Sequence, residues 1–349
     1  MPGSSSSHEG RDDRPSRARE RAVLIRGDGV AAYCCAHLLN KAGFRVDLQS
    51  VDRPRLPVIL LGDQALALIR DIFDQPLLFA DAPRIRKRIV AWGPEAKPIS
   101  IEHSAVVVSE QILLDAIRPS ITPSGTQDSP WTIFAARPLP APTVEHCFGT
   151  RVASAVPVTL QDGSDPSACW IESLENGWLF LTPGWLLAVG AEAETLLARS
   201  RVVASQIATC GPSLGTFPAY ARITSPLGAS GWLACGTAAM AFDPICGDGT
   251  AHAIREAILA SAVMRALTDG DPANSSMDDL LAHYQARLTA GFERHLTLCR
   301  EFYRSGGNGP LWQSELAAID LGIEWCRAAL ANHTTFRYQL RGLELEAVR

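Results

Sequence analysis

No Cys-x-x-Cys pair occurs among the nine cysteines of this chain, so it has neither zinc-ribbon spacing nor a dithiol redox motif. The number is odd, and Cys34 and Cys35 are adjacent in a segment that reads as helix, where they could not bridge without distorting it. Reduced thiols and a cytoplasmic protein are the expectation. No apolar run approaches the roughly 18 residues of a membrane span. Residues 1–20 lack an apolar core and read as a disordered polar tail, not a signal peptide. Positive charge is also short. With 32 Lys and Arg against 37 Asp and Glu, the net charge of −5 argues against nucleic acid or an anionic membrane as partner. What remains is a chain of 349 residues, 47 % apolar, long enough for a large core and two or more subdomains.

The organised part opens with Ala22-Val-Leu-Ile25, a continuous apolar run of buried-strand type. Gly27-Asp-Gly29-Val-Ala-Ala32 follows, then a small-residue helix and the strand pattern Gly43 to Leu48. This βαβ opening carries Gly-x-Gly-x-x-Ala, the pattern of a dinucleotide loop. Gly27 makes the tight turn, Gly29 lets the backbone meet a pyrophosphate, and Ala32 allows close helix–strand packing. The end of the second strand, where an acidic residue normally holds a ribose, falls on Ser50. A serine there can still hydrogen-bond, without charge assistance.

A second glycine loop lies some 200 residues later. Trp232 to Cys235 reads as a short buried strand, Gly236-Thr237 as a small-residue turn, and Pro244 to Thr250 as a loop feeding a helix. Ala251, Ile254, Ile258 and Ala262 give that helix one apolar face. A glycine loop ending at a helix N-terminus presents backbone N–H groups and the positive end of a dipole to an anion.

Between and after these loops the pattern is mixed. Helices are expected over 62–73, 110–117 and 191–205, and strands over 85–92, 105–109, 131–135, 150–160, 167–174, 177–181 and 185–189. A polar loop is expected over 119–130, and after Asp271 the chain reads as almost wholly helical, over 277–304 and 311–330.

Taken in order, the two loops resemble those of the FAD-dependent monooxygenases of the p-hydroxybenzoate hydroxylase fold, a group that includes the flavin-dependent halogenases. Pro244-Ile-Cys-Gly247-Asp248-Gly249 matches the family's Pro-x-x-Gly-x-Gly, Gly236-Thr237 stands where Gly-Asp is expected, and Cys147-Phe-Gly149-Thr-Arg151 is similar to its Gly-Arg segment. The resemblance implies FAD as cofactor, held by Gly27, Gly29, Ala32, Ser50, Arg151, Gly236 and Thr237. It places Pro244, Gly247, Asp248, Gly249 and Thr250 beside the flavin ring, with Cys246 and His252 as candidate catalytic groups. The implied fold is α/β: a Rossmann-type FAD-binding domain (21–52, 104–155 and 232–270), an inserted, mostly antiparallel substrate domain (53–103 and 156–231) and helical C-terminal residues 271–349. The implied reaction is hydroxylation of a small or protein-borne aromatic substrate, with NAD(P)H or a partner reductase as electron donor. Two alternatives stand beside it: a halogenase, or an FAD fold with a degenerate site that serves as a binding or maturation partner.

Departures favour the hydroxylase. Tryptophan-type halogenases carry Trp-x-Trp-x-Ile, and Gly177-Trp-Leu-Phe-Leu181 lacks one of its tryptophans. Their Glu-Ser pair falls on Cys246 and Gly247, and only Lys87 offers itself for their lysine. Each singled-out residue has an ordinary reading too: Cys246 as a buried filler, His252 as a satisfied helix histidine. Trp92, His103, Trp170, Trp178 and Phe180 are candidates to line an aromatic pocket, with at least half of them expected to be core. His295 and Cys299 share a helix face with no third ligand in sequence, so no metal is expected. Gly211-Pro-Ser213-Leu-Gly215 matches a hydrolase nucleophile elbow, but Phe217-Pro218 disfavours the helix an elbow needs.

Overall fold

A computed structural model describes residues 21–95, 97–121, 129–269, 276–331 and 338–348; the expected tail over 1–20 and the middle of the 119–130 loop lie outside them. The chain is α/β, built on two large sheets. The first sheet runs Gly228–Ala229, Trp232–Ala234, Trp131–Phe134, Ala22–Arg26, Arg45–Gln49, and its last four strands are parallel. Among the described residues seven helices accompany the sheets: α1 Val30–Lys41, α2 Asp63–Ile72, α3 Glu110–Ala116, α4 Ala193–Leu197, α5 Gly249–Asp269, α6 Met277–Gly306 and α7 Pro310–Leu330. None is long and apolar enough to cross a membrane. Strand Ala22–Arg26 is apolar because it is central, and α1 is apolar on nearly every side because it is sandwiched. Its small residues let α5 approach closely: Ala32, Ala36, Ala257 and Ala260 are fully buried, and Cys35 Sγ lies 3.7 Å from the Ala257 carbonyl.

The second sheet has nine strands and takes in Ile59–Gly62, Arg84–Ala91, Ile99–Val108, Val152–Leu160, Ala168–Leu174, Gly177–Thr182 and Trp185–Gly190. Its pairings are antiparallel except for Arg84–Ala91 beside Ala168–Leu174. Ser104 to Val108 and Val152 to Ala155 belong to this sheet. A three-stranded sheet, Met240–Ala241, Ala221–Ser225 and Val144–Phe148, carries the chain toward the second glycine loop.

Two expectations need correction. The helix expected over 191–205 is only α4 and a 3-10 turn at Ala204–Gln206. The reason is Glu172, 5 % exposed, whose carboxylate accepts the backbone N–H groups of Arg201, Val202 and Val203 and the Ser200 hydroxyl. Donors recruited by a buried carboxylate cannot also serve a helix ladder. Nor is the C-terminal region wholly helical, because Tyr338–Arg341 pairs antiparallel with Glu344–Ala347. The alternation of Tyr338, Leu340, Leu345 and Ala347 is a strand period, broken by Gly342 at φ +58.

Candidate functional site

The first glycine loop is a cradle shaped by contact. Gly27 has φ +131 and its N–H donates to the Gln49 carbonyl at 2.8 Å; an added Cβ would lie 3.1 Å from the Ala135 backbone. No side chain caps α1, so its first-turn N–H groups remain for an outside acceptor. Gly236 turns at φ +57 with Ala31 so near that an added Cβ would stand 2.8 Å away, and the exposed Thr237 donates to the Ala135 carbonyl at 3.5 Å. Gly27, Gly29, Gly236 and Thr237 therefore share one place. Ala32 is buried behind it, and Ser50 is exposed at the end of the second strand.

Two arginines missing from the sequence reading complete this cradle. Arg53 pairs with Glu110 and reaches within 3.0 Å of where a Gly29 Cβ would be, while Arg55 donates to both oxygens of Asp28, at 3.1 and 2.6 Å. Arg53 to Pro57 reads in sequence as a linker; the signal was two arginines one residue apart, directly after the second strand.

The second loop is built differently. Asp243 Oδ1 accepts the Ile245 N–H at 2.9 Å and so shapes the turn Pro244–Cys246, which leaves through Gly247 at φ +66. Gly249 then starts α5 with open space around it. Behind the turn lies a buried charge cluster. Arg151, Asp243 and Glu315 are 3 %, 1 % and 1 % exposed, and all three guanidinium nitrogens of Arg151 donate to these two carboxylates. The Tyr303 ring lies 4.5 Å from the guanidinium. Arg151, singled out as a cofactor ligand, instead holds the turn against α7. Its partners are 92 and 164 residues away, beyond the reach of local pattern.

From Asp243 a chain of soft and titratable groups continues. Its backbone N–H donates to His295 Nε2 at 2.9 Å, so the neutral ring carries its proton on Nδ1. Cys299 Sγ lies 3.3 Å from that Nε2 and 3.7 Å from Cys246 Sγ. The Cys299 hydrogen bond pulls the Cys246 thiol down to about 7 against the opposing effect of burial, whereas burial pushes Cys299 well up. Cys246 is thus the third donor beside His295 and Cys299 that the sequence does not show. The Nε2 lone pair already accepts the Asp243 N–H, so the trio is wired as a hydrogen-bonded network. On α5, His252 stacks on Phe242 at 4.0 Å and bonds Asp248 Oδ2 at 2.9 Å. Burial alone would raise the Asp248 carboxyl, but chiefly the His252 hydrogen bond holds it below the usual range.

Above the loop stands one face of the nine-stranded sheet. Arg88 Nη2 comes to 4.0 Å from where a Gly247 Cβ would be, lies 3.2 Å from His103 Nε2, and its guanidinium carbon is 5.8 Å from the centre of the Phe180 ring. Burial, then the Arg88 charge, lowers the His103 pKa, so the ring is neutral near pH 7. His103 and Phe180 thus join the site, and the other aromatic candidates do not. Trp92 donates to the Phe302 carbonyl at 3.0 Å and meets Trp178 and Trp312 edge-on, while Trp170 is 2 % exposed in the core beneath the sheet. Lys87 pairs with Asp165 at 2.7 Å; strand alternation sends it to the face opposite Arg88. Ser213 is exposed between the strands Ile207–Cys210 and Thr216–Pro218, with its hydroxyl on Gly215, so no elbow forms.

No protein-family model and no curated sequence matches the chain. Solved structures do match. The peptidyl tryptophan dihydroxylase QhpG, essential for tryptophylquinone cofactor biogenesis, superposes with a TM-score of 0.67 at 18 % identity, over 94 % of this chain and 86 % of that one. The myxobacterial chondrochloren halogenase CndH, a variant of FAD-dependent halogenases, gives 0.69 at 13 %, over 90 % of each. The p-nitrophenol 4-monooxygenase PnpA from Pseudomonas putida gives 0.61 at 13 %, over 89 % and 96 %. The fold is that of the flavin-dependent monooxygenases and halogenases. It matches the resemblance carried by the two glycine loops.

Proposed function

We propose that the protein is an FAD-dependent oxidoreductase that hydroxylates an electron-rich aromatic substrate. The observation that carries the reading is the convergence of Gly27–Gly29 and Gly236–Thr237 where α1 packs on α5, with Arg53 and Arg55 beside them, together with the open-sided turn Pro244–Thr250 that starts α5. The cradle fits a dinucleotide, because a Cβ at Gly27, Gly29 or Gly236 would meet a neighbour within about 3 Å. In this reading the uncapped N-terminus of α1 and the two arginines take the pyrophosphate, and Ser50 and Thr237 take hydroxyl groups. Pro244 and Gly247 to Thr250 would hold the flavin ring, where the N-terminus of α5 favours negative charge.

FAD, when bound, supplies the electron transfer and oxygen activation. The chain's own groups supply position. Arg88, His103 and Phe180 orient an aromatic substrate over the loop, with His103 held by the Arg88 N–H that its Nε2 accepts. Cys246 and His252 would stand next to the flavin, and the Asp243–Arg151–Glu315 cluster keeps the loop that carries Cys246 rigid. The cofactor domain accordingly comprises 21–52, 104–155 and 232–270, the substrate domain 53–103 and 156–231, and 271–349 closes the structure, with residues 104–108 and 152–155 lending strands to the substrate sheet. Electrons come from NAD(P)H or a partner reductase in the cytoplasm.

The test is direct. Purified protein should be yellow and release FAD on denaturation; with a reductant and O₂ it should consume oxygen in step with aromatic hydroxylation. Absence of flavin after reconstitution would favour the non-catalytic alternative. The likeness to CndH keeps halogenation as the second reading, and halide-dependent halogenated product would establish it.

A further inference from the structure

A cavity of about 500 Å³ opens between α5 and α6, closed on one side by the C-terminal hairpin through Leu340. None of Arg88, His103 or Phe180 lines it, so it is separate from the sheet face described above. Its floor is mainly aliphatic: Met240, Leu259, Leu288 and Leu298. The one aromatic ring, Phe242, is already stacked on His252. Its two ends differ in character.

At the inner end are two polar atoms without a hydrogen-bond partner, His295 Nδ1 and Asp248 Oδ1. The His295 side chain is completely buried, and the two atoms stand 4.0 Å apart, too far to bond each other. Because Nε2 accepts the Asp243 N–H, Nδ1 is a donor, while Asp248 Oδ1 is an acceptor. One group that both accepts and donates, placed between them, satisfies both. At the other end Arg255 projects from α5, seven residues beyond Asp248 and therefore about 10 Å along the helix axis. Arg294 on α6 adds a second exposed guanidinium.

We propose that this cavity binds an aliphatic oxyanion bearing one neutral hydroxyl or amide group at its far end. The oxyanion meets the arginines, the chain lies on the leucine and methionine floor, and the far polar group bridges His295 and Asp248. The volume is in the range of small-molecule sites, and guanidinium forks match both carboxylate and phosphate. The cavity lies on the α5–α6 side of the loop that carries Asp248 and His252, and the inference does not rest on flavin chemistry.

Isothermal titration of the purified protein tests it with ω-hydroxyoctanoate, octanoate, ω-hydroxyoctanamide and ω-hydroxyoctyl phosphate. Loss of either end should weaken binding about tenfold, since each end contributes a charge-assisted or buried hydrogen bond. The tighter of the carboxylate and phosphate probes identifies the anion. Arg294→Ala should reduce the difference between the hydroxy acid and its amide without changing the preference for the hydroxyl. Leu298→Trp, at an exposed lining position, should weaken all four probes while leaving the unfolding midpoint unchanged. The proposal is overturned if none of the probes binds the wild-type protein, or if the acid and the amide bind equally.

Discussion

The two glycine loops are alike in sequence and unlike in what stands behind them. Around Gly27–Ala32 the arginines reach solvent: Arg53 and Arg55 keep 29 % and 28 % of their side chains exposed, while their partners Glu110 and Asp28 are buried. Behind Pro244–Thr250 the charges are fully buried, and Asp243, Arg151 and Glu315 converge from three distant parts of the chain. A glycine loop defines a shape. The first loop is suited to exchange its anionic partner, because its guanidinium groups are part-exposed and can turn toward solvent. The second must hold a geometry, because any unpaired member of its cluster would be a buried charge.

The contrast can be broken most sharply at Gly249. Its surroundings are open, so Gly249→Val should fold normally yet narrow the loop that would hold the ring and abolish turnover. Oxygen consumption alongside a melting curve checks both halves. A next, smaller effect is expected from Arg151→Met, which leaves two buried carboxylates facing each other. Stability should fall by roughly 3–5 kcal/mol, and by less for Arg53→Ala, whose part-exposed guanidinium leaves a single carboxylate, Glu110, behind, both read from urea unfolding. Equal losses would erase the distinction between the loops.

At the first loop, Ser50→Glu restores a carboxylate at an exposed strand end. FAD affinity should tighten by roughly 1.5 kcal/mol or more, about tenfold, in equilibrium titration; unchanged or weaker affinity would remove Ser50 from the ribose position. The smallest effect concerns Cys246. Its alkylation by iodoacetamide should reach half-maximal rate near pH 7, since the thiolate is favoured once the pH exceeds a pKa of about 7. Cys299→Ala removes the hydrogen bond that stabilises the thiolate and should move the midpoint toward that of an ordinary thiol.

Legibility followed the range of the interaction. Strand Ala22–Arg26, α1, and the apolar face of α5 were readable because burial on a regular element imposes a period on neighbouring residues. The 191–205 segment was misread because its helical pattern is local, whereas Glu172, whose carboxylate takes its backbone donors, belongs to another strand. Lys87 and Arg88 show the same limit on a smaller scale. Both are basic and adjacent, and only the pairing of their strand settles which one faces Gly247.

By itself the sequence determined the two glycine loops, the strands and helices that flank them, and hence the α/β fold, since these depend on backbone freedom and hydrophobic period over short spans. The tertiary structure alone decided which charges serve the site. Arg151 became internal scaffolding, Arg53, Arg55 and Arg88 came forward, and Cys246 met Cys299 and His295. Coulomb and hydrogen-bond energies depend on distances across a few ångströms of space, and residues 50 to 200 positions apart in the chain acquire such distances only through packing.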